Sequence, residues 1–277
     1  MDTLTALTKL TKLYLADCGI GSIDTPFMSL ELERISLQGN NLKDIDCLKN
    51  LTVLSLVDLS ENKLQRIDVL SKSSETLVLL DLRNNRLAYD DLHILPAMKS
   101  LVHLYLQDMV TLRNLDDIAP LTNLQTLVIN DTYLKSIEGI SAQTKLTHLD
   151  LSDNLIEDIT PLKDMTFPQS MLLDLSGNRI TDMSAVPRSA YYYLGLHGNR
   201  IAYAENALKD ITGSYITIDY DDTLTSCKAD GQFAWPIVVD TPADKQLALK
   251  NVLGQYILYA TDETVDSILI KEGYKPK

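Results

Sequence analysis

The sequence predicts a curved, right-handed solenoid of the α/β class, with a parallel β-sheet on its concave face and a 3₁₀ or irregular convex side. Three observations lead there. A leucine-rich phrase recurs about every 22 residues, about ten times in the chain. Inside each phrase polar and aliphatic residues alternate, the period-two pattern of a strand with one buried face. Each phrase closes on a single anchor residue, most often asparagine. A fixed period this short marks a stack of identical units in which each coil packs only on its neighbours.

In chain order the anchors are Cys18, Asn40, Asn62, Asn85, Met109, Thr132, Asn154, Asn178, Asn199 and Asp221. Three and five positions earlier stand aliphatic residues, from Leu15 and Leu13 in the first repeat to Ile218 and Ile216 in the last. Residues 146–162 show how one coil is built. His148-Leu149-Asp150-Leu151-Ser152 reads as the strand, and Leu146, Ile156 and Ile159 point to the interior. Their spacing fits no long helix, and Pro161 favours a short 3₁₀ or extended return.

The anchor asparagine has a physical task. After the strand the backbone turns inward and leaves amide groups without ladder partners, which is costly when buried. Asparagine carries both an acceptor and a donor, so it bonds its own turn and a neighbouring coil. Asn40, Asn62, Asn85, Asn154, Asn178 and Asn199 are expected to form such a ladder. Cys18, Thr132 and Asp221 serve the turn with fewer bonds; Met109 cannot, so the coil around it should be the least regular.

Composition narrows the function. A net charge of −13 argues against nucleic acid and against an anionic membrane surface, both of which want Lys and Arg. No apolar run is long enough to span a bilayer, so no transmembrane segment is expected. The first residues lack the basic and apolar regions of a signal peptide. Cys18, Cys47 and Cys227 are odd in number and fall in different turns, which reads as buried or semi-buried free thiols rather than a disulfide framework.

Positions six, four and two before each anchor should line the concave sheet. This face carries Tyr14, Arg34, Asp58, Asp81, Arg83, His103, Tyr105, Gln107, Asp150, Asp174, Tyr193, His197 and Tyr215 as candidate protein-binding residues. Ten strands about 4.8 Å apart make a surface roughly 45 Å long, which suits a protein or a polymer better than a metabolite. Asp58, Asp81, Asp150 and Asp174 share one column, with Asp17, Glu61, Asp108, Asp131 and Asp153 beside it. That column is either an acidic floor for a basic partner or a solvated consensus of the repeat. The tyrosines are of the type that interface hot spots prefer.

Chemistry finds little footing. Asp219-Tyr220-Asp221-Asp222-Thr223 matches the Asp-x-Asp-x-Thr motif of haloacid-dehalogenase-like phosphotransferases, but it lies in repeat phase and too little chain follows it for that fold. Of the four histidines, His103, His148 and His197 fall on the concave face at least two coils apart, too far for one metal, and read as surface residues together with His93. No catalytic residue, metal ligand or cofactor site is therefore assigned, and the chain reads as non-enzymatic.

Two return segments carry a family resemblance: Asp117-Ile118-Ala119-Pro120-Leu121-Thr122-Asn123-Leu124-Gln125-Thr126-Leu127 and Ile156-Glu157-Asp158-Ile159-Thr160-Pro161-Leu162. Over roughly residues 4–224 the chain resembles bacterial leucine-rich repeat proteins of the internalin type, whose repeats are close to the SDS22-like class. The resemblance implies a leucine-rich repeat solenoid that grips a protein partner on its concave face, as a secreted or cell-surface adhesin. Unlike internalins, the chain enters repeat phase at once, at Leu4, Leu7 and Leu10, which suggests that a natural N-terminus with any export signal is missing. A cytoplasmic SDS22-like regulatory subunit docking on an enzyme, and a structural spacer, are the alternatives. Residues 1–224 are expected to form the repeat domain and 225–277 a C-terminal capping segment or small α/β subdomain, with helices opening at Thr241-Pro242 and Asp262-Glu263.

Overall fold

A computed structural model describes residues 8–108, 112, 114–167 and 171–201, and the backbone of 212–217. All of these lie in the unit spanning Met1–Pro236. The expected irregular coil at Met109, the Asp219–Asp221 motif, Cys227 and the segment 225–277 lie outside the described residues.

The strands are β1 (Lys12–Tyr14), β2 (Arg34–Ser36), β3 (Leu56–Asp58), β4 (Leu79–Asp81), β5 (His103–Tyr105), β6 (Thr126–Val128), β7 (His148–Asp150), β8 (Met171–Asp174), β9 (Ala190–Gly195) and β10 (Thr212–Thr217). They form one ten-stranded parallel sheet in strict chain order. Each strand follows from the alternation in its repeat: Leu13, Ile35, Val57, Leu80, Leu104, Leu127, Leu149, Leu173 and Leu194 turn inward and are buried. A single register irregularity falls at Met171/Leu172, where β8 meets β9.

The returns include short 3₁₀ turns at Asp46–Leu48, Asp68–Ser73, Tyr89–Leu92, Leu95–Ala97, Ile140–Ala142 and Thr160–Leu162, two of which, Leu95–Ala97 and Thr160–Leu162, carry a proline in their first turn. Leu146, Ile156, Ile159 and Leu162 meet the strand leucines in one continuous core. Among the described residues no helix is long and apolar enough to cross a membrane.

The asparagines stitch the coils together. Asn40, Asn62, Asn85, Asn154, Asn178 and Asn199 each donate from Nδ2 to the strand-end carbonyl of the preceding coil, at 2.6–2.9 Å. Each also donates to the carbonyl three residues back in its own turn. The Oδ1 atoms accept backbone N–H groups of the preceding coil, from Ile20, Leu42, Leu64, Leu134, Ile156 and Ile180.

The position just before the anchor has its own requirement. Asp17, Gly39, Glu61, Asn84, Asp108, Asp131, Asp153, Gly177 and Gly198 all have φ between 52° and 69°. This left-handed conformation suits Gly, Asn and Asp. The five acidic residues beside the sheet thus share a backbone duty, not only a charge. Of the two described cysteines, Cys47 is buried and burial pushes its thiol up to about 12. Cys18 is exposed, contrary to the expectation of a semi-buried thiol. It stands in the first coil of the sheet, and its Sγ donates to the Ala16 carbonyl.

Candidate binding face

The register places the expected face residues in two straight columns. Lys12, Arg34, Leu56, Leu79, His103, Thr126, His148, Leu172, Tyr193 and Tyr215 pair in sequence across the sheet. Tyr14, Ser36, Asp58, Asp81, Tyr105, Val128, Asp150, Asp174, Gly195 and Thr217 form the second column. Arg83, Gln107 and His197 stand two residues beyond the second column in their own coils. The side chain of Tyr215 is not among the described ones.

The face is not uniform in exposure. Tyr14 and Arg34 project freely at one end. Farther along, the side chains lie down on one another: Tyr105 and Tyr193 are each only 4 % exposed. Asp81 is 4 % exposed, Asp150 8 % and His148 7 %. This corrects one reading from the sequence and narrows another. His148 is not a surface histidine, and Asp81 and Asp150 do not belong to a solvated consensus face. Neighbouring coils cover them, which no single repeat reveals.

Each carboxylate of the Asp column closes the turn after its strand. Oδ1 of Asp58 accepts from the backbone N–H and hydroxyl of Ser60, and Oδ1 of Asp150 does the same with Ser152. Asp174 Oδ1 accepts from the Ser176 N–H at 2.9 Å. In β4 the residue two beyond is Arg83, and the result differs. Arg83 Nε lies 2.9 Å from both carboxylate oxygens of Asp81, and Nη2 lies 2.6 Å from Oδ2. The same guanidinium sits 5.4 Å from the Tyr105 ring centroid, a cation–π contact that extends the cluster to β5.

Protonation follows these surroundings. Burial raises the Asp81 carboxyl, against the bonds and charge of Arg83. Burial pushes Asp150 up to about 7, the neighbouring Asp174 carboxylate adds to the rise, and the Ser152 hydrogen bonds oppose it. Asp174 is raised by burial in its turn. Burial brings the His148 imidazole down to about 3, with His103 contributing. His103 is lowered by burial and shares a 3.0 Å hydrogen bond with the Thr126 hydroxyl. At neutral pH the centre of the face therefore holds two neutral imidazoles beside carboxyls that ionise late.

The histidines do not gather into a metal site: no group of three or more potential metal ligands occurs among the described residues. His93 is exposed on the return side, 3.4 Å from Asp68.

Residues 122–164 match the family model described as leucine-rich repeats (two copies), and residues 6–23 match a leucine-rich repeat model. A curated relative, Tsukushi of Gallus gallus, is 30% identical over 196 residues, covering 68% of this chain and 48% of that protein. The chain thus spans about half the length of the curated relative it matches. Among solved structures, internalin C2 of Listeria monocytogenes is similar at 24% identity and a TM-score of 0.54, over 76% of this chain and 80% of that one. A leucine-rich repeat protein of Leptospira interrogans is similar at 24% identity and a TM-score of 0.58, over 69% of this chain and 50% of that one. At these identities the structures speak for the fold.

Proposed function

Because the chain is a leucine-rich repeat protein, we propose that it is a non-enzymatic binding module that holds a protein partner on its sheet face. The observation that carries this reading is the register. Ten in-line strands assemble residues from ten separate coils into one continuous surface, the architecture that solenoids use for extended recognition. Tyr105, Arg83, His103 and Gln107 form its mixed aromatic and polar part, and Asp150 and Asp174 its acidic part. The net charge of −13 favours a basic partner.

The module is a bacterial secreted or cell-surface protein in this reading. The internalin-like return segments at Asp117–Leu127 and Ile156–Leu162 support that assignment. The repeats within residues 1–224 act as the binding domain in this reading.

A binding screen tests the proposal. The protein is presented to arrays of extracellular proteins, cell-wall glycans and a cytosolic lysate, beside a Tyr105→Ala/Asp150→Arg variant and a return-side Lys163→Glu variant. A partner lost by the first variant and kept by the second supports the reading. A partner indifferent to the first, or lost equally by both folded variants, overturns it. Capture from the cytosolic lysate alone overturns the surface assignment.

A further inference from the structure

Asp81 and Asp150 are equivalent positions of the repeat, and the chain itself shows what the column accepts. At Asp81 the seat over the carboxylate is filled by a guanidinium, that of Arg83 two residues on. At Asp150 the corresponding residue is Ser152, which engages Oδ1 alone. Oδ2 of Asp150 takes no hydrogen bond among the described residues, and no described cation pairs with it.

Two further atoms around this seat are unsatisfied. Nε2 of His148, two residues before Asp150 on the same strand face, is buried and has no hydrogen-bond partner. Oδ1 of Asn130 is buried and also without one. Asn130 lies on the preceding coil two residues beyond Val128, the register partner of Asp150, and so stands opposite Ser152 and diagonal to Asp150. Such orphaned atoms are uncommon in folded proteins and ask for an explanation. An amide oxygen and a carboxylate oxygen are acceptors only, and a neutral imidazole Nε2 accepts when its proton sits on Nδ1. Asp174, in register with Asp150 on the next strand, adds a second carboxyl.

Three acceptors spread over adjoining strands match a planar group that is all donors. Arginine presents five N–H groups in a rigid fork, whereas lysine concentrates its donors at a point. We propose that Asp150, Asn130 and His148 form the seat for an arginine side chain of the partner, set against Asp174. The proposal rests on the sheet face being the binding surface, and makes the partner's anchor residue the counterpart of Arg83.

The test uses fluorescein-labelled hexa-arginine, hexa-lysine and hexa-citrulline peptides, with anisotropy read at physiological salt. Citrulline keeps the shape of arginine without its charge. Wild-type protein should bind the arginine peptide several-fold more tightly than the lysine peptide, and the citrulline peptide hardly at all. Asp150→Asn should weaken arginine binding about tenfold, as expected when one member of a desolvated charge pair is removed. Ser152→Arg, which supplies an internal guanidinium and keeps the carboxylate, should weaken it as much. Gln38→Arg makes the same charge change at the position equivalent to Ser152 in another coil, and Asp164→Asn removes one exposed carboxylate on the return side; both should leave affinity within about twofold. Thermal melts establish that each variant is folded. Equal weakening by all four variants, equal affinity for arginine and lysine, or no binding by wild type would overturn the seat. If the sheet-face variant still loses the screened partner in that case, the binding face stands without it.

Discussion

Asp81 in β4 and Asp150 in β7 begin from the same instruction. They occupy one position of the repeat, face the same way and are both buried. Their outcomes part because of a single residue two places on. Arg83 answers the charge at Asp81 and stacks toward Tyr105. Ser152 leaves Asp150 beside Asp174 with no described cation, and its carboxyl rises to about 7. A repeat can thus keep its backbone constant, give one buried carboxylate an internal cation and leave another without a described one by changing one side chain.

The largest expected effect would break the comparison outright. Below pH 7 Asp150 binds a proton in the folded protein, while in the unfolded chain it releases that proton above about pH 4. Wild-type stability should therefore fall as pH rises from about 4 to 7. Asp150→Asn removes this loss, so the variant should be more stable than wild type by about 2–4 kcal/mol at pH 8 and equal to it at pH 4. Denaturant titrations at the two pH values would measure this; a difference that does not change with pH would show that Asp150 ionises normally.

Next come the anchors beneath the two halves. Asn62→Ala and Asn154→Ala should each cost about 1–3 kcal/mol, the penalty for orphaning buried backbone groups. Asn154→Ala should cost about 1 kcal/mol more than Asn62→Ala: both side chains bond equivalent backbone groups, but Asn154 Oδ1 also accepts from the Thr132 N–H and hydroxyl. Unchanged melting of either variant would mean that the ladder does not hold that half together.

A smaller change sharpens the contrast by its size. Burial raises the Asp81 carboxyl as well, but the bonds and charge of Arg83 oppose the rise, so Asp81→Asn should gain clearly less stability at pH 8 than Asp150→Asn does. An equal gain at both positions would show that the two seats are not different in kind. Smallest is Glu61→Asn, which eases a residue held at φ 54°. It should gain about 0.5 kcal/mol, less than the full left-handed penalty because Gln38 loses a hydrogen bond to Glu61. No gain would show that this turn tolerates a side chain of any shape.

The architecture was legible because it is periodic. Leucines at fixed offsets set the strand register from His103 to Tyr193 without knowledge of distant contacts. The rim acids were harder to read. Asp17, Asp108, Asp131 and Asp153 look like charge design, yet the same position holds Gly39, Asn84, Gly177 and Gly198. That mixture of Asp, Asn and Gly is the signal of a left-handed turn and was available in the sequence. The burial of His148 and Asp150 was not, because it depends on side chains contributed by coils some twenty residues away on either side.

The stacking has a kinetic consequence. Paired residues of neighbouring strands are separated by 20 positions, Met171 to Tyr191, up to 24, Leu79 to His103. Such spacing is under a tenth of the 277-residue chain, a relative contact order in the range of helical bundles, about 0.07–0.12, although the protein is built on a parallel sheet. Each coil finds its partner in the stretch synthesised just before it. A nascent chain can therefore wind onto its own finished end, one turn at a time, as it leaves the ribosome.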